Sequence, residues 1–151
     1  MTTTTTPTDA ENLAGFRVLV VEDDYFVAKE MAAVLRKHGA TVLGPVPDVA
    51  RGRALLEKSV PDCALLDVKL KGQFVFELAK ELIERGVPPI FTTGYDASFL
   101  PPPLREAPCL HKPVDMFELV RIIREKTAMG RPSAALSELA DTKPGVPSGR
   151  R

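Results

Sequence analysis

Five side chains of this sequence have the types and spacing to handle phosphorus together: Glu22, Asp23, Asp67, Thr93 and Lys112. Glu22 and Asp23 close the apolar run Val18-Leu19-Val20-Val21, and Asp67 closes Cys63-Ala64-Leu65-Leu66. If both runs are parallel strands of one sheet, three carboxylates meet at one edge. Two such charges at ~4 Å repel by about 4 kcal/mol at an effective dielectric of ~20, so the cluster wants a cation between its members. Hard oxygen ligands suit magnesium, which takes one or two carboxylates and keeps several waters. Asp23 and Asp67 are the expected direct ligands, Glu22 acts through water, and Lys69 offers its main-chain carbonyl. Asp67 is then placed to attack phosphorus. Lys112 pairs with phosphoryl oxygens as a point charge, and the Thr93 hydroxyl meets the remaining one.

These residues converge only if the intervening elements bring them to one place. Residues 16–21 form an apolar run broken only by Arg17, which suits a strand buried on both faces. Asp24 is a good N-cap for a helix through about His38, with Val27, Met31, Val34 and Leu35 on one face, and Gly39 stops it. Residues 40–44 read as a short second strand. Pro47-Asp48 opens a second helix that ends near Ser59. A third strand ends at Asp67, and Lys71-Gly72 is a turn. A third helix is expected from about Gln73 to Arg85, with Phe74, Leu78 and Leu82 at four-residue spacing. Residues 89–93 make a fourth strand and 109–111 a fifth. Val114 to about Thr127 is a last helix, with Met116, Leu119, Val120 and Ile123 inward.

Between the last two strands the alternation demands a helix, but Pro101-Pro102-Pro103 interrupts it. Prolines cannot occupy a helix interior, so at most one turn forms before them. Strands alternating with helices mean βαβ units. The expected fold is α/β: a doubly wound, five-stranded parallel sheet of order 2-1-3-4-5, flavodoxin-like, with its fourth helix short or broken. Functional loops of such a sheet lie at the carboxyl ends of the strands. All five residues named at the outset fall there.

The chain has 151 residues with 20 Lys+Arg against 20 Asp+Glu, which gives a formal net charge of zero and argues against a nucleic-acid module. No run of 18 apolar residues suggests a membrane span. Residues 1–14 read as a disordered N-terminal tail, 15–128 as one domain, and 129–151 as a flexible C-terminal tail. Cys63 and Cys109 fall in strands, as a buried, reduced, cytosolic pair of thiols would.

The pattern V-L-V-V-E-D-D, then L-L-D-V, then F-T-T-G-Y, then H-K-P resembles the receiver domain of two-component response regulators, over roughly residues 15–128. The resemblance implies that Asp67 takes a phosphoryl group from a phosphohistidine of a sensor histidine kinase or a histidine phosphotransfer protein, with Mg2+ bound. It implies a cis bond between Lys112 and Pro113. L-D-V-K-L-K-G-Q-F-V-F followed by F-T-T-G-Y-D is similar to the single-domain FATGUY-type receivers of alphaproteobacteria. The chain departs from the common pattern at Cys109 and at the proline-interrupted segment, which replaces a regular fourth helix. Cys109 stands where most receivers carry a switching Tyr or Phe, and Tyr95 is a candidate to take over part of that role.

The resulting expectation is a stand-alone, cytoplasmic response regulator and not an enzyme with a separate substrate. It would be a monomer or weak dimer that signals by protein contact or by competing for phosphoryl groups in a relay. The alternative is a pseudo-receiver, an interaction module that is not phosphorylated. A nucleotide- or flavin-binding domain of this fold fits poorly, because its first loop needs glycines or hydroxyls to hold phosphate and this one presents Glu-Asp-Asp.

Overall fold

The computed structural model describes residues 12–70, 72–94 and 100–128. Its elements are β1 (Arg17–Val21), α1 (Tyr25–Lys37), β2 (Thr41–Val46), α2 (Val49–Lys58), β3 (Cys63–Asp67), β4 (Lys69–Leu70), β5 (Gln73–Phe74), α3 (Phe76–Glu84), β6 (Pro89–Thr93), β7 (Cys109–His111) and α4 (Met116–Ala128). Strands β2-β1-β3-β6-β7 form one sheet whose pairs are all parallel. With the β4–β5 ribbon set aside, this is the expected order 2-1-3-4-5.

Strand alternation sorts the core into two layers. Leu19, Val21, Ala64, Leu66 and Phe91 point to one face, against Leu56 of α2 and Leu78 and Leu82 of α3. Val18, Val20, Cys63, Leu65 and Ile90 point to the other, against Met31 and Leu35 of α1 and Leu119, Val120 and Ile123 of α4. Central strands β3 and β6 are buried along their whole length, which explains their uninterrupted apolar sequence.

The helix signals act as expected. Asp24 Oδ1 accepts from the Phe26 and Val27 amides at 3.0 and 3.2 Å, and Asp48 caps α2 through the Arg51 amide. Gly39 ends α1 at φ +99°, a conformation that a side chain disfavours.

Three elements differ from expectation. The third helix begins at Phe76, not near Gln73, because Gln73–Phe74 pairs antiparallel with Lys69–Leu70 as a ribbon. Phe74 therefore does not line the helix core. It is partly exposed and stacks on Phe76, with centroids 5.1 Å apart. The second strand runs on through a cis Gly44–Pro45 bond to Val46, since Val46 pairs with Val21 and its carbonyl accepts from the Glu22 amide. The prolines begin a short 3-10 turn, Pro102–Leu104, with Pro101 before it, so its first turn needs no amide from them.

The packed body also starts earlier than residue 15. Leu13 is fully buried, its amide donates to the His38 carbonyl at 2.8 Å, and the Arg124 guanidinium donates to the Asn12 carbonyl. The remainder of the expected N-terminal tail, the C-terminal tail from residue 129, Lys71 and Tyr95 lie outside the described residues.

Candidate functional site: an acidic cluster at the carboxyl edge of the sheet

Register and alternation build the site. Val21 pairs with Leu66, so Glu22 and Asp67 follow side by side at the strand ends. Glu22 continues the face of Val20, and Asp67 that of Leu65. Both carboxylates thus turn toward the layer of α1 and α4. Leu110 lies on that same face, and Lys112, two residues on, arrives there from the end of β7. The Lys112 amide is held by the Thr93 carbonyl at 2.9 Å, which ties the ends of β6 and β7 together. Lys112–Pro113 is cis, as the family resemblance implied.

Glu22, Asp23 and Asp67 each offer a carboxylate oxygen within 4.8 Å of the others. Glu22 and Asp67 are buried, at 3% and 6% exposure, and Asp23 is half-buried. Lys112 Nζ donates to Asp67 Oδ2 at 3.0 Å and to Glu22 Oε2 at 3.2 Å. Glu22 Oε2 also accepts from the Asp24 amide at 3.0 Å. Glu22 Oε1 is buried with no hydrogen bond, although the Lys112 ammonium is 3.0 Å away. Three carboxylates with hard oxygen donors this close together fit a divalent cation of the magnesium type.

The electrostatics follow from this crowding. Burial and the neighbouring Asp67 charge push Glu22 up to about 7, against the opposing pull of the Asp24 amide and Lys112. Burial works against the Lys112 ammonium, but its hydrogen bonds to Asp67 and Glu22 outweigh this and hold its pKa above the ordinary lysine value. The arrangement presents a buried carboxylate beside a fixed cation. That is what an oxygen nucleophile needs when it meets an incoming anion.

Thr93 ends β6 beside His111, and Thr92 lies opposite Asp67 in register. The Lys69 ammonium is drawn away along the ribbon, 5.8 Å from the Phe74 ring centroid. Cys109 pairs with Phe91, half-buried against the α2–α3 layer, and burial raises its thiol pKa. Cys63 is fully buried and its pKa is raised further by burial. Both cysteines are free thiols. Sequence reasoning missed the direct Glu22–Lys112 contact. The signal was present in the alternation, since Val20-x-Glu22 and Leu110-x-Lys112 share one face.

The sequence profile of the response regulator receiver domain matches residues 18–124. The chain belongs to this family. The receiver is 29% identical over 147 residues to the transcriptional regulatory protein PdtaR of Mycobacterium tuberculosis, covering 90% of this chain and 72% of PdtaR. Among solved structures it is similar to the response regulator PhyR from Brucella abortus, with a TM-score of 0.68 and 21% identity over 89% of this chain and 54% of that one. This likeness concerns the fold alone, and the receiver spans about half of PhyR. It is also similar to SdrG from Pseudomonas melonis in its BeF3-activated conformation, with a TM-score of 0.64 and 28% identity over 76% of this chain and 98% of SdrG. Receivers are signalling domains of two-component systems and bind magnesium through an acidic cluster; the acidic group at the corresponding sheet edge here is Glu22, Asp23 and Asp67. Among the described residues no helix is long and apolar enough to cross a membrane.

Proposed function

We propose that this receiver is a phosphoacceptor, and that Asp67 takes a phosphoryl group from a phosphohistidine of a sensor histidine kinase or a histidine phosphotransfer protein. One observation carries the reading: Asp67 is buried at the end of β3 with the Lys112 ammonium at 3.0 Å and two further carboxylates close by. An Asp67 oxygen forms the new bond to phosphorus as the nitrogen–phosphorus bond breaks, and the electron pair returns to the imidazole. Lys112 holds the charge of the transferred group, and the Thr93 hydroxyl takes a phosphoryl oxygen. Asp23 and Asp67, with Glu22 in support and the Lys69 carbonyl beside them, would hold magnesium, whose charge would offset the repulsion between Asp67 and the incoming anion.

The donor docks near α1, where Tyr25 and Phe26 stand exposed beside the site. Phosphorylation adds about −1.5 to −2 charge at neutral pH. That charge draws Lys112 and Thr93 toward it and rearranges the β6 loop and the proline segment, with Tyr95, Cys109 and Pro113 as the reporting positions. The L-D-V-K-L-K-G and F-T-T-G-Y-D segments support the FATGUY-type subgroup. Output is by protein contact or by competition for phosphoryl groups, in the cytoplasm, where both free thiols stay reduced.

The test is transfer from a purified phosphohistidine protein to this chain in magnesium, followed by loss of label from the donor. Transfer to the wild type and none to Asp67→Asn is expected. A donor that keeps its label, in a chain that also refuses a small phosphodonor, would leave the pseudo-receiver reading in its place.

A further inference from the structure

A second concavity adjoins the acidic cluster, between α1 and the end of β2, with a volume of about 410 Å³. That lies within the ~300–1,000 Å³ of small-molecule sites. One wall is Ala28 and Ala32 of α1, whose small side chains leave the gap, and the other is Pro45 and Val46. Tyr25, 68% exposed, stands at the rim.

Two cations, Lys29 and Arg36, stand along the α1 side of this space, and two acids, Glu22 and Asp23, lie at its other end. Lys29 and Arg36 lie on the same helix face as the alanines, seven residues or ~10 Å apart along the axis. Neither forms a salt bridge with a described residue, and Lys29 Nζ rests 5.8 Å from the Tyr25 ring centroid. Both side chains are long enough to converge on one anion between them.

We propose that this cavity binds a small organic anion with a flat apolar body. The body lies on Ala28, Ala32 and Val46, and its acidic group sits between Lys29 and Arg36. A neutral body gains the wall but not the cations. Glu22 and Asp23 belong both to this cavity and to the acidic cluster, so the two sites are coupled. Magnesium in the cluster cancels charge that would repel the anion, and by linkage the anion strengthens magnesium binding by the same factor. The cavity thereby admits an effector beside the acceptor carboxylate, whether or not Asp67 is phosphorylated.

The experiment is an amide NMR titration of the full chain with naphthalene-1-sulfonate, and with naphthalene-1-sulfonamide as the neutral control, each with and without magnesium. Saturable shifts are expected on α1 and at Pro45–Val46 neighbours, with the sulfonamide at least several-fold weaker. Lys29→Ala and Arg36→Ala, both at exposed positions, each weaken the sulfonate about 3- to 5-fold. Magnesium tightens it. Scattered or non-saturable shifts, equal binding of the neutral compound, or variants that bind like the wild type would overturn the site. Shifts at Asp67 that report magnesium binding without any change in sulfonate affinity would overturn the coupling. Absence of those magnesium shifts would instead count against the metal site.

Discussion

The Lys112 ammonium donates to Asp67 Oδ2 at 3.0 Å and so links the β7 end to the β3 end past the intervening β6, across forty-five residues of sequence. The same ammonium reaches Glu22, so one cation holds two buried carboxylates that would otherwise face each other. Removing it leaves their charges uncompensated. Lys112→Ala is predicted to destabilise the magnesium-free protein by about 2 kcal/mol, less than a fully buried pair because Lys112 is partly exposed. Magnesium should restore most of that loss. Urea midpoints with and without magnesium check both statements; an unchanged metal-free midpoint contradicts the account.

Glu22 supplies a pH signature. Its folded pKa, about 7, stands above the ordinary value of 4.5. Between those values the folded state therefore binds more protons than the unfolded one, and stability falls as pH rises through that window. Above it the contribution is flat. Magnesium competes with the same proton, so its affinity should rise as pH climbs through about 7, with proton release. Chemical denaturation and magnesium titration across this range are predicted to lose both trends in Glu22→Gln. A wild-type magnesium affinity that does not vary with pH contradicts this.

Most of the frame was legible in the sequence, and the reasons are physical. Apolar strands buried on both faces announce themselves as runs such as Cys63–Leu66, and Asp24, Gly39 and Asp48 punctuate the helices by backbone chemistry that needs no tertiary context. The rule that function gathers at carboxyl strand ends then brings Glu22, Asp23, Asp67 and Lys112 together. The ribbon at residues 69–74 was hidden because Phe74, Leu78 and Leu82 share a helical spacing by coincidence. Phe74 instead stacks on Phe76 and carries Lys69 above its ring. Leu13 was hidden because one leucine among threonines and polar residues has no periodicity to betray it. The cavity beside α1 arises from residues of α1 and β2 that only the fold makes neighbours.

Leu13 gives a clean stability test. It is fully buried between the ends of α1 and α4 and has no place in the chemistry. Leu13→Ala should cost about 2–4 kcal/mol, as a large-to-small change in a closed core does. Phosphorylation at a temperature where the variant stays folded should be unchanged. A thermal midpoint equal to that of the wild type would show that the segment does not belong to the core.

Lys69 and Tyr95, each two residues beyond a site residue, are predicted to slow water's access to the acyl phosphate. Lys69→Ala and Tyr95→Ala should each shorten the phosphoryl half-life several-fold while leaving phosphorylation itself intact. Autodephosphorylation followed after donor removal is the measurement, and unchanged half-lives in both variants defeat the idea.

The central claim is that Asp67 is the phosphoryl acceptor. Intact-mass spectrometry of the full chain, incubated with magnesium and a small phosphodonor, tests it most directly. The wild type should gain one phosphate, lose it on removal of donor, and gain none when magnesium is chelated. Asp67→Asn, which keeps the shape of the site without its nucleophile, should gain none at all. A phosphate that still appears on Asp67→Asn, or a wild type that stays unmodified by this donor and by its kinase alike, would contradict the account.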